Sequence, residues 1–325
     1  MSEPGASSVT EPVRPQPATA IEPEPKKASS DLPGRLVSAG ILIPLVAYVI
    51  ISGGLAFLAV VLGLILLGQR EFYRLIEDKG AHPSVGFGLG AGAALTLVQY
   101  VGSDYQANLL MTATLLITMM LQLGKAEITE ALASISGTFF GVFYVGWLLS
   151  HAISVRFFHD AVASSYGAAK VAALGIDPDC GIFLMFFTLL VVIGCDAGAY
   201  FGGRAYGKRP LAPAISPSKT IEGAIAGILL GVVAGFACKG IFDFFWPALS
   251  ASLSWSVAGG FALLLSVAGI IGDLIESLLK RDAQVKDAGH LLPGMGGILD
   301  RIDSNLIGIP VMYYAMLLYT FMRVS

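Results

Sequence analysis

From Arg35 onward the chain is a succession of apolar runs, each long enough to cross a hydrocarbon core and separated by polar breaks. Nine runs can be delimited, at 36–52, 54–69, 84–101, 107–124, 133–153, 181–200, 221–242, 255–273 and 304–322. The pattern predicts an all-α polytopic membrane protein with about nine transmembrane helices. Only Gly53 and Gly54 separate the first two runs, so a single long or kinked helix is the other reading there.

Composition agrees. A chain of 325 residues could hold two soluble domains, but 55% hydrophobic residues, 13% charged residues and a mean hydropathy of +0.75 make lipid the solvent for most of it. A net charge of −3 and the lack of a basic stripe give no sign of a nucleic-acid partner. Cys180, Cys195 and Cys238 lie in or beside apolar runs with no CxxC spacing and are read as packing residues. Residues 1–33 stand apart: seven of the sixteen prolines fall between Pro4 and Pro33, among Ser, Ala, Glu and Lys, which predicts a disordered tail before a membrane domain at 34–325. The tail lacks the apolar core of a signal peptide, so the first run is expected to be a retained anchor.

Loop charge tests the count independently, because Lys and Arg favour the cytoplasmic side of short loops. With nine helices and a cytoplasmic N-terminus, sixteen of the twenty Lys and Arg fall inside, and Arg156, Lys170, Lys239 and Arg323 fall outside. An error of one helix in the middle of the count would destroy that bias.

This topology puts two unusual polar stretches on the same cytoplasmic face: Asp196 to Gly223, after the sixth run, and Glu276 to Asp303, after the eighth. Nine Asp, Glu, Lys and Arg residues crowd the second, around Pro293-Gly294-Met295-Gly296-Gly297. Asp273, Glu276 and Lys280 are spaced three and four apart, so on a continuing helix they form one stripe at its end. Gly294, Gly296 and Gly297 can present backbone N–H groups to an anion. Asp300 and Asp303 share a face where the ninth helix begins and can meet the Asp273 stripe across the turn. Oxygen ligands from two helices beside basic residues suit Mg²⁺ holding a polyphosphate. Asp196 ends an apolar run, where an ionisable group marks a site or pairs locally, here with Arg204.

Other features read as structural. Gly223, Gly227, Gly231 and Gly235 recur every fourth residue, a packing face within one protomer or between two copies in a homodimer. Gly86 to Ala94 is a less regular version, and Phe242 to Pro247 reads as an outer aromatic belt.

The stretch SLLKRDAQVKDAGHLLPGMGGILDRIDS, Ser277 to Ser304, closely resembles the signature of the phosphatidate cytidylyltransferase (CDP-diacylglycerol synthase) family. Asp196 to Tyr200 and Ser216 to Thr220 resemble that family's second motif, an Asp-x-Gly-Ala-Tyr segment leading to Ser-Pro-x-Lys-Thr. The resemblance implies a multi-pass enzyme of the inner (plasma) membrane that uses CTP, phosphatidate and Mg²⁺ to make CDP-diacylglycerol and pyrophosphate. It implies Asp273 and Asp300 as metal ligands, with Asp303 and Glu276 as helpers. Lys280, Arg281, Lys286 and Arg301 would hold triphosphate or the lipid phosphate, Asp287 would orient Lys286 or join the metal, and Ser216 and Lys219 would contact a phosphate. One position departs from the pattern: Met295 stands where the family has histidine, with His290 as the nearest imidazole. A secondary transporter would carry its ionisable residues at mid-membrane in repeated halves. The aspartate pattern of a CDP-alcohol phosphotransferase is missing, and a lipid kinase is the closest enzymatic rival.

Overall fold

The computed structural model describes residues 32–102, 104–125, 129–289 and 296–324. In lipid a backbone must satisfy its own N–H and C=O groups, and the apolar runs accordingly become helices. The long ones are α1 (Leu32–Ser52), α2 (Gly54–Asp78), α3 (Val85–Val101), α4 (Asp104–Leu123), α5 (Ala131–Arg156), α8 (Cys180–Tyr206), α9 (Ile221–Phe245), α11 (Trp255–Asp282) and α12 (Leu299–Val324). Short helices α6 (Phe158–Tyr166), α7 (Ala168–Ala173) and α10 (Pro247–Ser250) lie between them. Strands β1 (Pro210–Ala212) and β2 (Ser216–Thr220) form an antiparallel hairpin. Among the described residues α2, α4, α5, α8, α9, α11 and α12 are the seven helices long and apolar enough to cross a membrane, while Leu42–Ser52 of α1 and the whole of α3 are shorter apolar helices. Each run delimited in the sequence thus folds as a helix, and the protein is an all-α polytopic membrane protein. Helix α1 opens at Leu32, so Pro33 sits in its first turn; residues 1–31, where the tail was expected, lie outside the described residues.

The first two runs are separate helices. Gly53 and Gly54 take φ of +59° and +54°, a left-handed conformation that a branched residue resists. Arg156 closes the break from another helix: its Nε donates to Ile50 O at 2.7 Å and its Nη2 to Ile51 O at 3.3 Å, satisfying carbonyls at the end of α1. A Cβ at Gly53 would lie 2.9 Å from Arg156 Nη2.

Polar side chains inside the bundle are matched to backbone. Thr96, Thr114, Thr118, Thr138 and Thr188 donate to the carbonyl one turn back. From α2, buried Gln69 Nε2 donates to Gly88 O of α3 and Gly141 O of α5, both at 3.3 Å, and Tyr73 Oη donates to Thr138 O at 3.0 Å. Gly88 and Gly92 of the Gly86 to Ala94 stretch supply the room, since a Cβ at either would strike Tyr73 or Gln69. The π-helical turn Val142–Trp147 begins one residue after Gly141, whose carbonyl Gln69 engages. Cys180, Cys195 and Cys238 are buried free thiols, as packing residues should be.

The four glycines at 223, 227, 231 and 235 form a seam within the protomer. A Cβ at Gly227 would lie 2.7 Å from Cys195 O, and one at Gly198 of α8 would lie 2.9 Å from Gly227 Cα, so the two helix backbones touch. Gly227→Leu should therefore lower the thermal stability of the detergent-solubilised protein, by about 1–3 kcal/mol or more. Unchanged unfolding in a thermal melt would mean the seam tolerates separation.

Contacts sort the loops onto two ends. At one end Lys79 pairs with Asp282, and Lys125 Nζ donates to His82 O at 2.7 Å. At the other, Arg156 reaches Ile50 O, Gln99 Nε2 donates to Ser154 Oγ at 2.6 Å, and Arg323 donates to Leu174 O at 2.9 Å and Ser252 O at 3.3 Å. This is the alternation that consecutive spans require. Phe244, Phe245 and Trp246, in the expected aromatic belt, are exposed near the second end, whereas Phe242 is buried.

Candidate active site

Helix α11 extends past its apolar run to Asp282, so Asp273, Glu276 and Lys280 fall on one stripe as their spacing predicts. Opposite them α12 begins with Asp300 and Asp303. Gly272 lets the two helices meet: a Cβ there would lie 2.7 Å from Asp303 O and 3.1 Å from Ser304 Cα. In consequence one oxygen from each of Asp273, Glu276 and Asp303 lies within 4.8 Å of the others. Asp196, at the end of α8, accepts a hydrogen bond from Ser304 Oγ at 3.4 Å, while Arg204 turns to Tyr200 Oη at 3.3 Å. Asp196 thus faces the site, and the local pair with Arg204 is not made.

Lysines from two directions border the carboxylates. The β1–β2 hairpin, with Pro210 paired to Thr220 and Ala212 to Ser216, folds its second strand back toward α11. Lys219 Nζ then sits 2.7 Å from Asp273 Oδ1 and donates to Ser277 Oγ at 3.2 Å. Thr220 caps α9 by accepting from Gly223 N at 3.1 Å, and Glu222 accepts from Lys208 N and Arg209 N, which fixes both ends of the hairpin. The pairing of β1 with β2 shifts register between Pro210 and Ala212, and Ser216 and Lys219 at the two ends of the irregular stretch are both half-buried. Lys280 Nζ lies 2.5 Å from Glu276 Oε2 and 2.7 Å from Asp300 Oδ1.

Charge does not balance. Five carboxylates, Asp196, Asp273, Glu276, Asp300 and Asp303, face two ammonium groups. Like charges at the separation of the central three repel by on the order of 3 kcal/mol per pair at an effective dielectric of about 20. Glu276 is fully buried, and neither of its oxygens accepts a hydrogen bond of regular geometry among the described residues. An all-oxygen set in which Glu276 Oε1 is buried without a hydrogen-bond partner among the described residues fits a hard divalent cation.

The remaining expected residues divide. Asp300, anticipated beside Asp273 as a metal ligand, has its oxygens elsewhere: Oδ1 on Lys280, and Oδ2 accepting from Ala288 N and Gly297 N at 3.0 Å each. Asp303 and Glu276, anticipated as helpers, occupy the place next to Asp273. Gly297, expected to offer its N–H to an anion, gives it to Asp300, and Gly296 makes the turn with φ of +83°. Arg281 Nε donates to Ile215 O at 3.4 Å and ties the hairpin tip to α11. Lys286, Asp287 and Arg301 are exposed, and Gly294, Met295 and His290 lie outside the described residues. A cavity of about 650 Å³ lined by Gln99, Tyr100, Phe157 and Ser164 lies at the opposite end, away from this chemistry.

A model of the cytidylyltransferase family matches residues 33–319. The chain belongs to the cytidylyltransferase family. It is 32% identical over 299 residues to a phosphatidate cytidylyltransferase of Synechocystis sp., covering 87% of this chain and 96% of that protein. It is 31% identical to the chloroplastic phosphatidate cytidylyltransferase 4 of Arabidopsis thaliana, over 94% of this chain and 76% of that protein. With a Haemophilus influenzae phosphatidate cytidylyltransferase the identity is 43% over 142 residues, 42% of this chain and 47% of that one.

One residue of this cytidylyltransferase escaped the sequence reading. Glu71 of α2, only 1% exposed, reaches the segment that leads into α12 and accepts from Leu299 N at 2.8 Å. Its signal was weak, an ionisable side chain just past an apolar run with Arg74 three residues on as a ready local partner. Its target, 228 residues away, was not legible in the sequence.

Proposed function

We propose that the protein transfers CMP from CTP to phosphatidate, giving CDP-diacylglycerol and pyrophosphate, at the cytoplasmic end of a domain that crosses the inner (plasma) membrane nine times. The observation that carries this reading is the convergence of Lys219, Asp273, Glu276, Lys280 and Asp303 at one end of the bundle in a chain of this family. The relatives' names supply the substrates.

Asp273, Glu276 and Asp303 would hold Mg²⁺. Bound there, the ion supplies positive charge against the triphosphate. Lys219 and Lys280, each held beside a carboxylate, keep two ammonium groups at the edge of the cluster where phosphate oxygens would come, with Arg281, Lys286 and Arg301 farther out. Ser216, at the start of its strand, serves the outer part of the substrate, and Asp196 steadies Ser304 beside Asp303. In the reaction an oxygen of the phosphatidate phosphate attacks the α-phosphorus of CTP, and the bond to the β-phosphate oxygen breaks to release pyrophosphate. That nucleophile is already an anion near neutral pH, since the second pKa of a phosphate monoester is about 6. No imidazole is required at position 295, and catalysis rests on alignment and charge neutralisation.

Purified protein with phosphatidate and Mg²⁺ should consume CTP or dCTP and release pyrophosphate, leaving ATP, GTP and UTP untouched. A nucleoside diphosphate product would assign the site to a lipid kinase. Sidedness has its own test: in intact cells a cysteine at exposed Ser165 should react with an impermeant thiol reagent, and one at Ser218 should be protected. Reversed labelling would turn the domain over. Ser103, in the same outer set by topology, lies outside the described residues.

A further inference from the structure

We propose that Glu71 is a positioning residue for the active site, holding from α2 the turn that sets the register of α12 against α11. Its carboxylate does the work of an N-cap from a different helix. Leu299 is the first residue of α12, and its N–H, which has no partner within the helix, donates to Glu71 Oε2 at 2.8 Å. A negative group at that position also meets the positive end of the helix.

Two glycines are shaped around this carboxylate. A Cβ at Gly297 would lie 2.6 Å from Glu71 Oε2, and a Cβ at Gly289 would have the Glu71 carboxyl as its nearest neighbour, with Cδ at 2.6 Å and Cγ at 3.0 Å. The same turn is held from its other side by Asp300 Oδ2, which accepts from Ala288 N and Gly297 N while Oδ1 pairs with Lys280 of α11. The start of α12 is therefore fastened at two points, to α2 through Glu71 and to α11 through Asp300. Asp303 lies one turn farther on, where a small rotation or slide of α12 would carry its carboxylate away from Asp273 and Glu276. Glu71 itself contacts neither those carboxylates nor Lys219 among the described residues, so it acts through the turn. A buried carboxylate in a membrane helix is costly, and this alignment is what it returns.

The test combines kinetics with amide hydrogen exchange on the full-length protein in detergent. Glu71→Ala should lower kcat per folded molecule by about tenfold to a hundredfold, the scale of a displacement near 1 Å at a reacting centre. KM for CTP should change far less, and exchange in peptides spanning 296–302 should speed up. Glu71→Gln, which keeps an acceptor oxygen of the same shape, should retain most of the rate and protection. Gly289→Ala, which pushes a methyl into the carboxylate, should reproduce the loss alone and add little to Glu71→Ala, because both act on one contact. If Glu71→Ala does not fold, Glu71→Gln and Gly289→Ala still decide. Wild-type exchange and rate in Gly289→Ala, equal losses in Glu71→Gln and Glu71→Ala, or losses that multiply in the double variant would overturn the proposal. The kinetic arm rests on the reaction proposed above. The exchange arm does not, so a protein without cytidylyl transfer but with the expected exchange pattern would fail that reading alone.

Discussion

Asp303→Asn is expected to cut turnover by about a hundredfold or more while leaving the helical bundle folded. The change keeps size and one acceptor oxygen but removes one of three carboxylate charges that lie within 4.8 Å of each other. If the cluster balances a cation that in turn balances triphosphate, the lost charge is felt where negative charge must be neutralised during transfer. In the free protein the same change relieves repulsion, so thermal stability without added metal should hold or rise as activity falls. Asp273→Asn should lose activity comparably and also release Lys219 from its 2.7 Å pair. Asp300→Asn should lose it by a different route, through the turn and Lys280. Met295→Ala carries no charge change and should keep a measurable fraction of the rate, and Met295→His should be tolerated. Steady-state assays at saturating Mg²⁺ on monodisperse protein distinguish these cases. Wild-type rates in Asp303→Asn and Asp273→Asn would make the carboxylates helix-end decoration.

Lys280→Met should damage both stability and turnover. The ammonium sits between Glu276 and Asp300, with its side chain 15% exposed and that of Glu276 fully buried. Methionine preserves most of the stem and leaves two carboxylates facing each other with no counterion. Removing one partner of a buried pair typically costs about 3–5 kcal/mol. The melting temperature should drop by several degrees, and activity should fall below detection at temperatures where wild type is folded. Lys280→Arg should restore stability better than rate, because a planar guanidinium cannot take the compact position between two carboxylates. A stable, active Lys280→Met would show that the pair is incidental.

The parts of this molecule that could be read in advance are those set by local periodicity. Runs of about twenty apolar residues became helices because lipid leaves no other use for them, and Gly223 to Gly235 announced a close helix approach by spacing alone. The stripe Asp273, Glu276, Lys280 followed from one helical period. What could not be read depended on rotation and on partners distant in sequence. Asp300 and Asp303 share a helix face, and choosing between them needed the exact start of α12 at Leu299 and the close approach at Gly272. Lys219 reaches Asp273 only because a hairpin reverses the chain, and the register shift within that hairpin has no local sequence signal. Short helices α6 and α7 lie between long runs, where no membrane-length signal exists, and the cap on α12 comes from Glu71 in another helix.

The most direct measurement follows phosphorus. Paired reactions with CTP labelled in the α- or the γ-phosphate, each with phosphatidate and Mg²⁺, should be run on wild type and on Asp303→Asn. If cytidylyl transfer occurs at this site, α-label enters the lipid product, γ-label appears in pyrophosphate, and both fall by about a hundredfold or more in Asp303→Asn. Label from the γ-phosphate in lipid, or equal rates for the two proteins, would contradict it.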